Sequence, residues 1–112
     1  GGRVDGRQVV PAEWLAEVTR PAVTNANYGY LTWLGTTFTP QRGYNSKSAA
    51  YAIHGEPFAA PDLVYFDGFG GQRVYVMPSA QLVIVRTGGI RFDWDDAVLP
   101  NLLYTAVPAS TQ

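Results

Sequence analysis

The chain has 112 residues, of which 46% are hydrophobic, 13% aromatic and 15% charged, and its formal net charge is −1. This length allows one modest domain over residues 1–112, and the aromatic content argues against intrinsic disorder. The charge balance excludes a basic surface for nucleic acid, the lack of cysteine excludes disulfides and a cysteine nucleophile, and no apolar run reaches the ~20 residues that span a bilayer.

The first predicted element is a helix that follows a short N-terminal turn. Asp5-Gly6 is a turn signal. Pro11 suits the first helical position, where a missing N–H has no consequence, and Glu13 suits the first turn. Because Pro21 cannot continue a helix, we predict a helix over Pro11–Thr19.

Residues 28–34 (Tyr-Gly-Tyr-Leu-Thr-Trp-Leu) have the composition of a strand. Both of its faces carry large side chains, which predicts burial on both sides. Residues 36–61 then show no sustained hydrophobic period, and long irregular segments of this kind are often functional or mobile.

Three β-rich runs follow over residues 63–88. A glycine cluster, Gly68, Gly70 and Gly71, separates the first two runs. The link from Met77 to Gln81 is short enough for an antiparallel hairpin between the second and third runs.

The last predicted element is a C-terminal helix. Apolar residues recur at helical spacing from Val98 to Val107, after an acidic start, and Pro100 either lies in the first turn or kinks the helix. The predicted order is helix, strand, long loop, three strands, helix. It favours an α+β fold with an antiparallel sheet of about four strands flanked by an N-terminal and a C-terminal helix.

Side chains for nucleophilic catalysis are scarce in this sequence. The serines at 46, 48, 79 and 110 are never followed three residues later by lysine, and His54 is the only histidine. A Ser–His–Asp set could be drawn from Ser46 or Ser48 with His54, but no elbow motif supports it. An isolated histidine in a loop is more typically solvated.

Metal and dinucleotide sites are also not favoured. Asp93, Asp95 and Asp96 could bind a hard cation, but the calcium-loop glycine and glutamate are absent, so an acidic helix start is the favoured interpretation. The third glycine of a dinucleotide fingerprint would fall at Arg73, and a strand follows where a helix is required. We predict neither a metal nor a cofactor.

Two features allow both a functional and a structural interpretation. The glycine cluster could expose a backbone N–H to a bound carbonyl oxygen, or it could form a β-bulge or a tight hairpin bend. The aromatic side chains of Tyr28, Tyr30 and Trp33 could line a substrate cleft, or they could belong to the core.

Four segments together resemble the serine hydrolases of the β-lactamase superfamily. Residues 1–14 resemble a glycine-rich turn that leads into a Pro-x-Glu-Trp helix, and residues 28–33 are similar to the family's YGYGWW strand. Residues 67–76 and 82–88 resemble its last strands, whereas residues 36–61 match nothing specific. The family includes class C β-lactamases, penicillin-binding DD-peptidases, esterases and nylon-oligomer hydrolases. The resemblance implies the C-terminal part of that fold.

The resemblance also implies site residues. Residues 66–68 (Phe-Asp-Gly) occupy the place of the family's Lys/His-Thr/Ser-Gly motif, and of that motif only Gly68 is kept, as in the esterase and amide-hydrolase branches. The backbone N–H of Phe69 then corresponds to one of the two oxyanion donors. The residues that this match places against the substrate are Phe66, Asp67, Gln72 and Tyr30.

Two motifs of the family are missing from these 112 residues: Ser-x-x-Lys and Tyr-x-Asn. We therefore expect the C-terminal segment of a longer hydrolase, which acts on an ester, amide or β-lactam-type substrate through an acyl-enzyme. The segment would be inactive alone. Half a sheet leaves an unpaired edge and an uncovered apolar face, so we expect it to need its N-terminal segment or to self-associate.

Two alternatives stay open at the level of the sequence. One is a non-catalytic β-rich module for ligand binding or interaction, with Tyr28, Tyr30 and Trp33 as its platform. The other is an inactive family member kept as a scaffold or regulator. The sequence leaves the location open between exported or periplasmic and cytoplasmic in a bacterium.

Overall fold

The computed structural model describes residues 1–44, 47 and 49–107. In that part of the chain the elements are, in order, β1 (Arg3–Val4), β2 (Arg7–Gln8), α1 (Ala12–Val18), β3 (Trp33–Leu34), β4 (Gln41–Gly43), β5 (Tyr51–Ile53), β6 (Val64–Gly68), β7 (Gln72–Met77), β8 (Leu82–Arg86) and α2 (Val98–Ala106). They form two small hairpins, β1–β2 and β4–β5, and a four-stranded antiparallel sheet in the order β3-β6-β7-β8. The predicted α+β class and the four antiparallel strands are confirmed.

The three consecutive strands of the sheet match the three β-rich runs of the sequence. The β6–β7 ladder runs without interruption from Val64↔Val76 to Gly68↔Gln72. A single 3-10 turn at Pro78–Ala80 leads into β8, and Gln81 completes the reversal in a left-handed conformation with φ +51°. The short link therefore makes the antiparallel hairpin that its length predicts.

The strand predicted over residues 28–34 is too long. Only Trp33–Leu34 pairs with β6, and Tyr28 folds back to form an isolated bridge with Trp33. Leu31 has φ +52°, which an extended strand cannot contain. Most of the aromatic segment therefore forms a turn. The two residues that pair with β6, Trp33 and Leu34, are buried as predicted.

The irregular segment 36–61 contains a hairpin that the sequence did not predict. In it β4 pairs with β5 through Arg42↔Ala52. Arg42 is 1% exposed and lies over the rings of Phe58 and Tyr65, at 5.0 and 5.7 Å from their centroids. The hairpin thus brings a guanidinium group into the interior.

Both terminal helices are confirmed to within a residue or two. Pro11 precedes α1 at the N-cap, with φ −55° and ψ 135°, so it is not the first helical residue as predicted. Pro100 lies in the first turn of α2, where its missing N–H breaks no helical hydrogen bond. The Asp5-Gly6 turn joins β1 to β2.

The two faces of the sheet differ in their surroundings. The inner face carries Tyr65, Tyr75, Met77 and Ile84, all at most 7% exposed, and Leu99 and Leu103 of α2 pack against this cluster. The outer face carries the alternate residues of the same strands, among them Phe66, Val83 and Val85, which are 45%, 59% and 62% exposed.

Candidate active site

The glycine cluster forms a tight bend at one end of the sheet. The β6–β7 ladder stops at Gly68↔Gln72, and Phe69–Gly71 closes the hairpin as one 3-10 turn. Gly70 and Gly71 have φ +70° and +85°, and a Cβ on Gly71 would lie 2.8 Å from the carbonyl oxygen of Arg91. The hairpin-bend interpretation therefore accounts for these two glycines.

The peptide group between Gly68 and Phe69 is held by a buried arginine. Arg73 Nη1 donates to the Gly68 carbonyl oxygen at 3.0 Å. No described residue follows a cis peptide bond. Because a trans peptide group is planar, the N–H of Phe69 points the opposite way, away from the guanidinium.

Arg73 itself is anchored by two carboxylates. Its Nε lies 2.6 Å from Asp96 Oδ1, and its Nη1 lies 2.7 Å from Asp67 Oδ1. Burial opposes the positive charge of Arg73, but Asp96 and then Asp67 outweigh this effect and raise its pKa. The guanidinium is therefore a fixed, permanently charged support beneath the turn.

The buried charges continue away from the turn. Tyr65 donates its hydroxyl to Asp96 Oδ2 at 3.3 Å, and Arg42 Nη1 donates to the Tyr65 oxygen at 3.0 Å. We call Arg42, Tyr65, Asp67, Arg73 and Asp96 the buried network. Its two arginines balance its two aspartates, which is what permits charge in a core position.

A cavity of about 540 Å³ lies beside the turn, in the size range of small-molecule sites. Gly68, Phe69, Asp67 and Arg73 border it. Asp67 Oδ2 also accepts a hydrogen bond from the Tyr44 hydroxyl at 3.0 Å. Burial and the charge of Asp67 raise the pKa of Tyr44 to about 12, so the hydroxyl keeps its proton. The aromatic members of the wall are Tyr28, Trp33, Tyr44, Tyr51, Phe69, Phe92 and Trp94.

Three of the predicted substrate contacts lie outside this cavity. Phe66 projects from the outer face of the sheet. Gln72 uses its amide on the backbone of Gly88, donating to its oxygen at 2.9 Å and accepting from its nitrogen at 3.0 Å. Tyr30 is 56% exposed and stacks on Trp14 with 5.9 Å between ring centroids. Of the predicted residues, the structure brings together Asp67, Gly68 and Phe69.

His54 is buried, not solvated as a loop histidine was expected to be. It is 0% exposed, and its ring lies 4.2 Å from Phe58 and 5.4 Å from Phe38, centroid to centroid. Burial, and then the charge of Arg42, lower its pKa to about 4. Ser46, Ser48 and Ser110 lie outside the described residues, and Ser79 donates its hydroxyl to Asp62 at 2.8 Å.

The C-terminal acidic residues are separated by their partners. Asp93 pairs with Arg91 at 2.8 Å on the surface, and Asp96 belongs to the buried network. Asp95 accepts from the backbone N–H of Ala97 at 2.9 Å, just before α2 begins. Within the described ranges, no three potential metal ligands come together.

Protein-family models, curated proteins and solved structures were compared with this chain, and none of the three comparisons gave a match. Among the described residues, neither helix has the length and apolar character to cross a membrane.

Proposed function

We propose that this chain is the C-terminal part of a serine hydrolase of the β-lactamase-like superfamily. In this proposal the backbone N–H of Phe69 stabilises the oxyanion that forms when a serine attacks an ester or amide carbonyl. The serine and its lysine lie in a Ser-x-x-Lys motif outside these 112 residues, so the chain alone does not hydrolyse substrate.

The observation that carries the proposal is the fixed Gly68–Phe69 peptide group at the edge of a cavity. Arg73 holds the carbonyl oxygen of this peptide at 3.0 Å, and Phe69 lies beyond the last residue pair of the β6–β7 ladder. An oxyanion donor must be oriented before the reaction, because reorientation during the reaction would raise the barrier. A peptide plane fixed from behind meets this requirement.

The charge of Arg73 adds an electrostatic contribution. A hydrogen bond to a carbonyl oxygen polarises the peptide group and makes its N–H a stronger donor. Since Asp67 and Asp96 hold the guanidinium in place, its field at the peptide stays constant. Arg73 is a positioning residue in this proposal, and Phe69 provides the atom that contacts the substrate.

The exposed outer face of the sheet supports the same proposal. Phe66, Val83 and Val85 are apolar, and strands that carry apolar residues on both faces are typical of sheets covered on both sides. In the described residues β8 pairs on one side only, with β7. We propose that the upstream part of the same protein covers this face, and that the chain self-associates without it.

The test replaces the proposed donor in the protein encoded by the reading frame that contains this chain. Phe69→Pro removes the N–H, and Phe69→Ala keeps it while removing the same ring. Proline suits the start of a helical turn, and Gly68 before it is extended, with φ −99° and ψ 156°, as a residue before proline must be. Circular dichroism checks that the variants fold.

We expect the wild-type protein to hydrolyse p-nitrophenyl acetate and to be labelled by a fluorophosphonate. We expect kcat of Phe69→Pro to be about 10²–10³-fold below that of Phe69→Ala, the usual effect of losing one oxyanion donor, because both variants lack the ring and only Phe69→Pro lacks the N–H. Absence of both hydrolysis and labelling in the wild-type protein would overturn the proposal. Equal kcat in the two variants would remove Phe69 from it.

One observation favours a second candidate, a non-catalytic ligand-binding module. The residues that line the cavity come from segments far apart in the sequence, which the fold of this chain brings together around one site. Of the platform predicted for such a module, Tyr28 and Trp33 line the cavity, and Tyr30 stacks on Trp14 outside it. A monomeric chain that binds ligand, together with a reading frame that lacks Ser-x-x-Lys, would select this candidate.

A further inference from the structure

We infer that the cavity beside Phe69 is a subsite for a neutral aromatic ring, so that the substrate class is aryl esters or aryl amides. The inference deepens the proposed function, and the identification of the bound ligand as a substrate rests on that proposal. The binding site itself stands on the cavity alone.

The inner wall of the cavity is a set of rings that hold one another in place. Trp33 makes edge-to-face contacts with Tyr28 at 4.9 Å and Tyr44 at 5.7 Å, and it stacks on Tyr65 at 6.1 Å, centroid to centroid. Aromatic pairs at these distances contribute beyond simple burial. A ligand that meets an immobilised wall causes little further loss of side-chain freedom on binding.

Trp94, on the C-terminal segment, is equally restrained. Its Nε1 donates to the Tyr75 hydroxyl at 2.9 Å, and the guanidinium of Arg86 lies 4.6 Å from its ring centroid. Since the polar edge of the indole already has a partner, what it offers the cavity is apolar surface. Trp33 and Trp94 therefore supply two fixed indole rings to one site.

The charges at the cavity select a neutral ligand. Asp67 and Arg73 are paired at 2.7 Å, and Arg91, at the rim, is paired with Asp93 at 2.8 Å. Two arginines against a single carboxylate in the wall disfavour a cation, even though aromatic walls can attract one. An anion would have to compete with carboxylates that these arginines already bind.

The rim connects this subsite to the proposed donor. Phe69 and Phe92 are 77% and 73% exposed and meet edge to face at 5.4 Å. The ring of Phe69 is thus part of the aryl subsite, while its own N–H is the proposed oxyanion donor. An aryl group bound here lies next to the carbonyl that the donor serves.

The test measures binding by the 112-residue chain, where no hydrolysis interferes. Benzamide, cyclohexanecarboxamide, benzamidinium and benzoate form a series of one size that varies ring type and charge separately. The readout is the indole N–H resonances of the ¹⁵N-labelled chain. Trp33 and Trp94 report on the cavity, and Trp14, 51% exposed and stacked on Tyr30, is the internal control.

We expect benzamide to shift the Trp33 and Trp94 resonances but not that of Trp14. We expect cyclohexanecarboxamide to bind about tenfold more weakly, because it lacks the ring–ring contribution. Benzamidinium and benzoate should also bind more weakly than benzamide. Equal binding of the cyclohexyl compound, tighter binding of either charged compound, or a shift confined to Trp14 would overturn the inference.

Variants locate the site. Tyr51→Ala and Phe92→Ala remove exposed wall rings and should each weaken benzamide binding, whereas Phe38→Ala removes an exposed ring that is not part of the wall and should not. If Phe38→Ala weakens binding as much as Phe92→Ala does, the inference fails. The two sets of variants test separate claims. If benzamide binding differs from this expectation, the role proposed for the Phe69 N–H still stands. If Phe69→Pro and Phe69→Ala have equal kcat, the aryl subsite still stands.

Discussion

The inner and outer faces of the same sheet differ in burial and in the polarity of their side chains. Along β6 and β7 the inner side carries Tyr65, Arg73 and Tyr75, all at most 5% exposed, and their polar atoms are joined in hydrogen bonds. The outer side carries Phe66, Val74 and Val76, which are apolar and lack polar atoms. The polar groups of the inner face are thus paired within the chain, whereas apolar side chains of the outer face, such as Phe66, stay partly exposed.

This difference indicates where stability and function lie. The inner face holds the peptide that carries the proposed donor, so changes there should alter both stability and the site. Substitutions on the outer face should change the free energy of unfolding little and should instead alter the self-association of the chain.

The largest effect is expected from breaking the buried network. Arg73→Met removes the partner of Asp96 and leaves a carboxylate that is 0% exposed without its counter-charge. We expect a loss of about 3–5 kcal/mol in the free energy of unfolding, measured by urea denaturation. Arg20→Met, which breaks an exposed ion pair with Glu17, is the matched control and should change it by less than about 0.5 kcal/mol. Similar losses in the two variants would contradict the stabilising role assigned to the buried network.

The second effect is a pH dependence that originates at His54, below the inner face. Its pKa falls from 6.5 in the unfolded chain to about 4 in the fold, because burial and then Arg42 disfavour the charged ring. Well above pH 6.5 the ring is neutral in both the folded and the unfolded chain, so its titration does not affect stability there. As the pH falls toward 4 the unfolded chain takes up the proton first, so stability is lost.

We expect His54 to account for about 3 kcal/mol of the stability lost between pH 7 and pH 4. Urea denaturation across this range measures it. His54→Leu, which has no titratable ring, should show a flatter profile than wild type by that amount. Parallel profiles would mean that His54 is protonated equally in both states.

A smaller effect is expected from one hydroxyl of the inner face. Tyr75 accepts the indole N–H of Trp94 at 2.9 Å. Tyr75→Phe leaves that donor unpaired, and we expect a loss of about 1–2 kcal/mol in the free energy of unfolding. Tyr104→Phe, a partly buried tyrosine of α2, provides the comparison and should cost less. The inner face would not depend on its hydrogen bonds if both variants unfolded like wild type.

The smallest effect on stability is expected on the outer face. Val83→Thr with Val85→Thr replaces two exposed methyl groups by hydroxyls of similar shape, and should change the free energy of unfolding by about 0.5 kcal/mol or less. Sedimentation equilibrium should show that the wild-type chain associates and that the double variant shifts toward monomer. A wild-type chain that stays monomeric would contradict the proposal that another segment or a second copy covers the outer face.

Those parts of the fold that depend on local patterns could be predicted. The apolar runs of β6 to β8, the short link before β8 and the proline-bounded helix follow from residue type and spacing. The strand predicted over 28–34 is too long, because aromatic composition favours a strand but does not indicate the positive φ at Leu31. The β4–β5 hairpin was missed, since Gln41-Arg42-Gly43 has neither β-branched nor alternating apolar residues.

The only part of the candidate site that could be predicted from the sequence is the glycine turn. Gly68 and Phe69 followed from the resemblance, but the anchor of their peptide did not. The pairs Arg73–Asp96 and Arg42–Tyr65 join residues 23 positions apart in the sequence. No local sequence pattern indicates pairs so far apart, and arginine is a residue type that usually lies on the surface. His54 is buried between Phe58, four residues later, and Phe38, which lies on an earlier segment, and no local pattern indicates that these rings enclose it.

The most direct test of the central claim follows the amide proton of Phe69 itself. In the ¹⁵N-labelled protein encoded by the reading frame that contains this chain, the oxygen of the proposed serine displaces fluoride from a fluorophosphonate, and the serine proton passes to the neighbouring base. The phosphoryl oxygen of the resulting tetrahedral phosphonate ester carries partial negative charge and takes the place of the oxyanion. We predict that the Phe69 amide resonance then moves strongly downfield and exchanges more slowly with solvent, while the amide of Val83 on the outer face is unchanged. A Phe69 resonance that stays where it was in the free protein, with the serine fully modified, would contradict the claim.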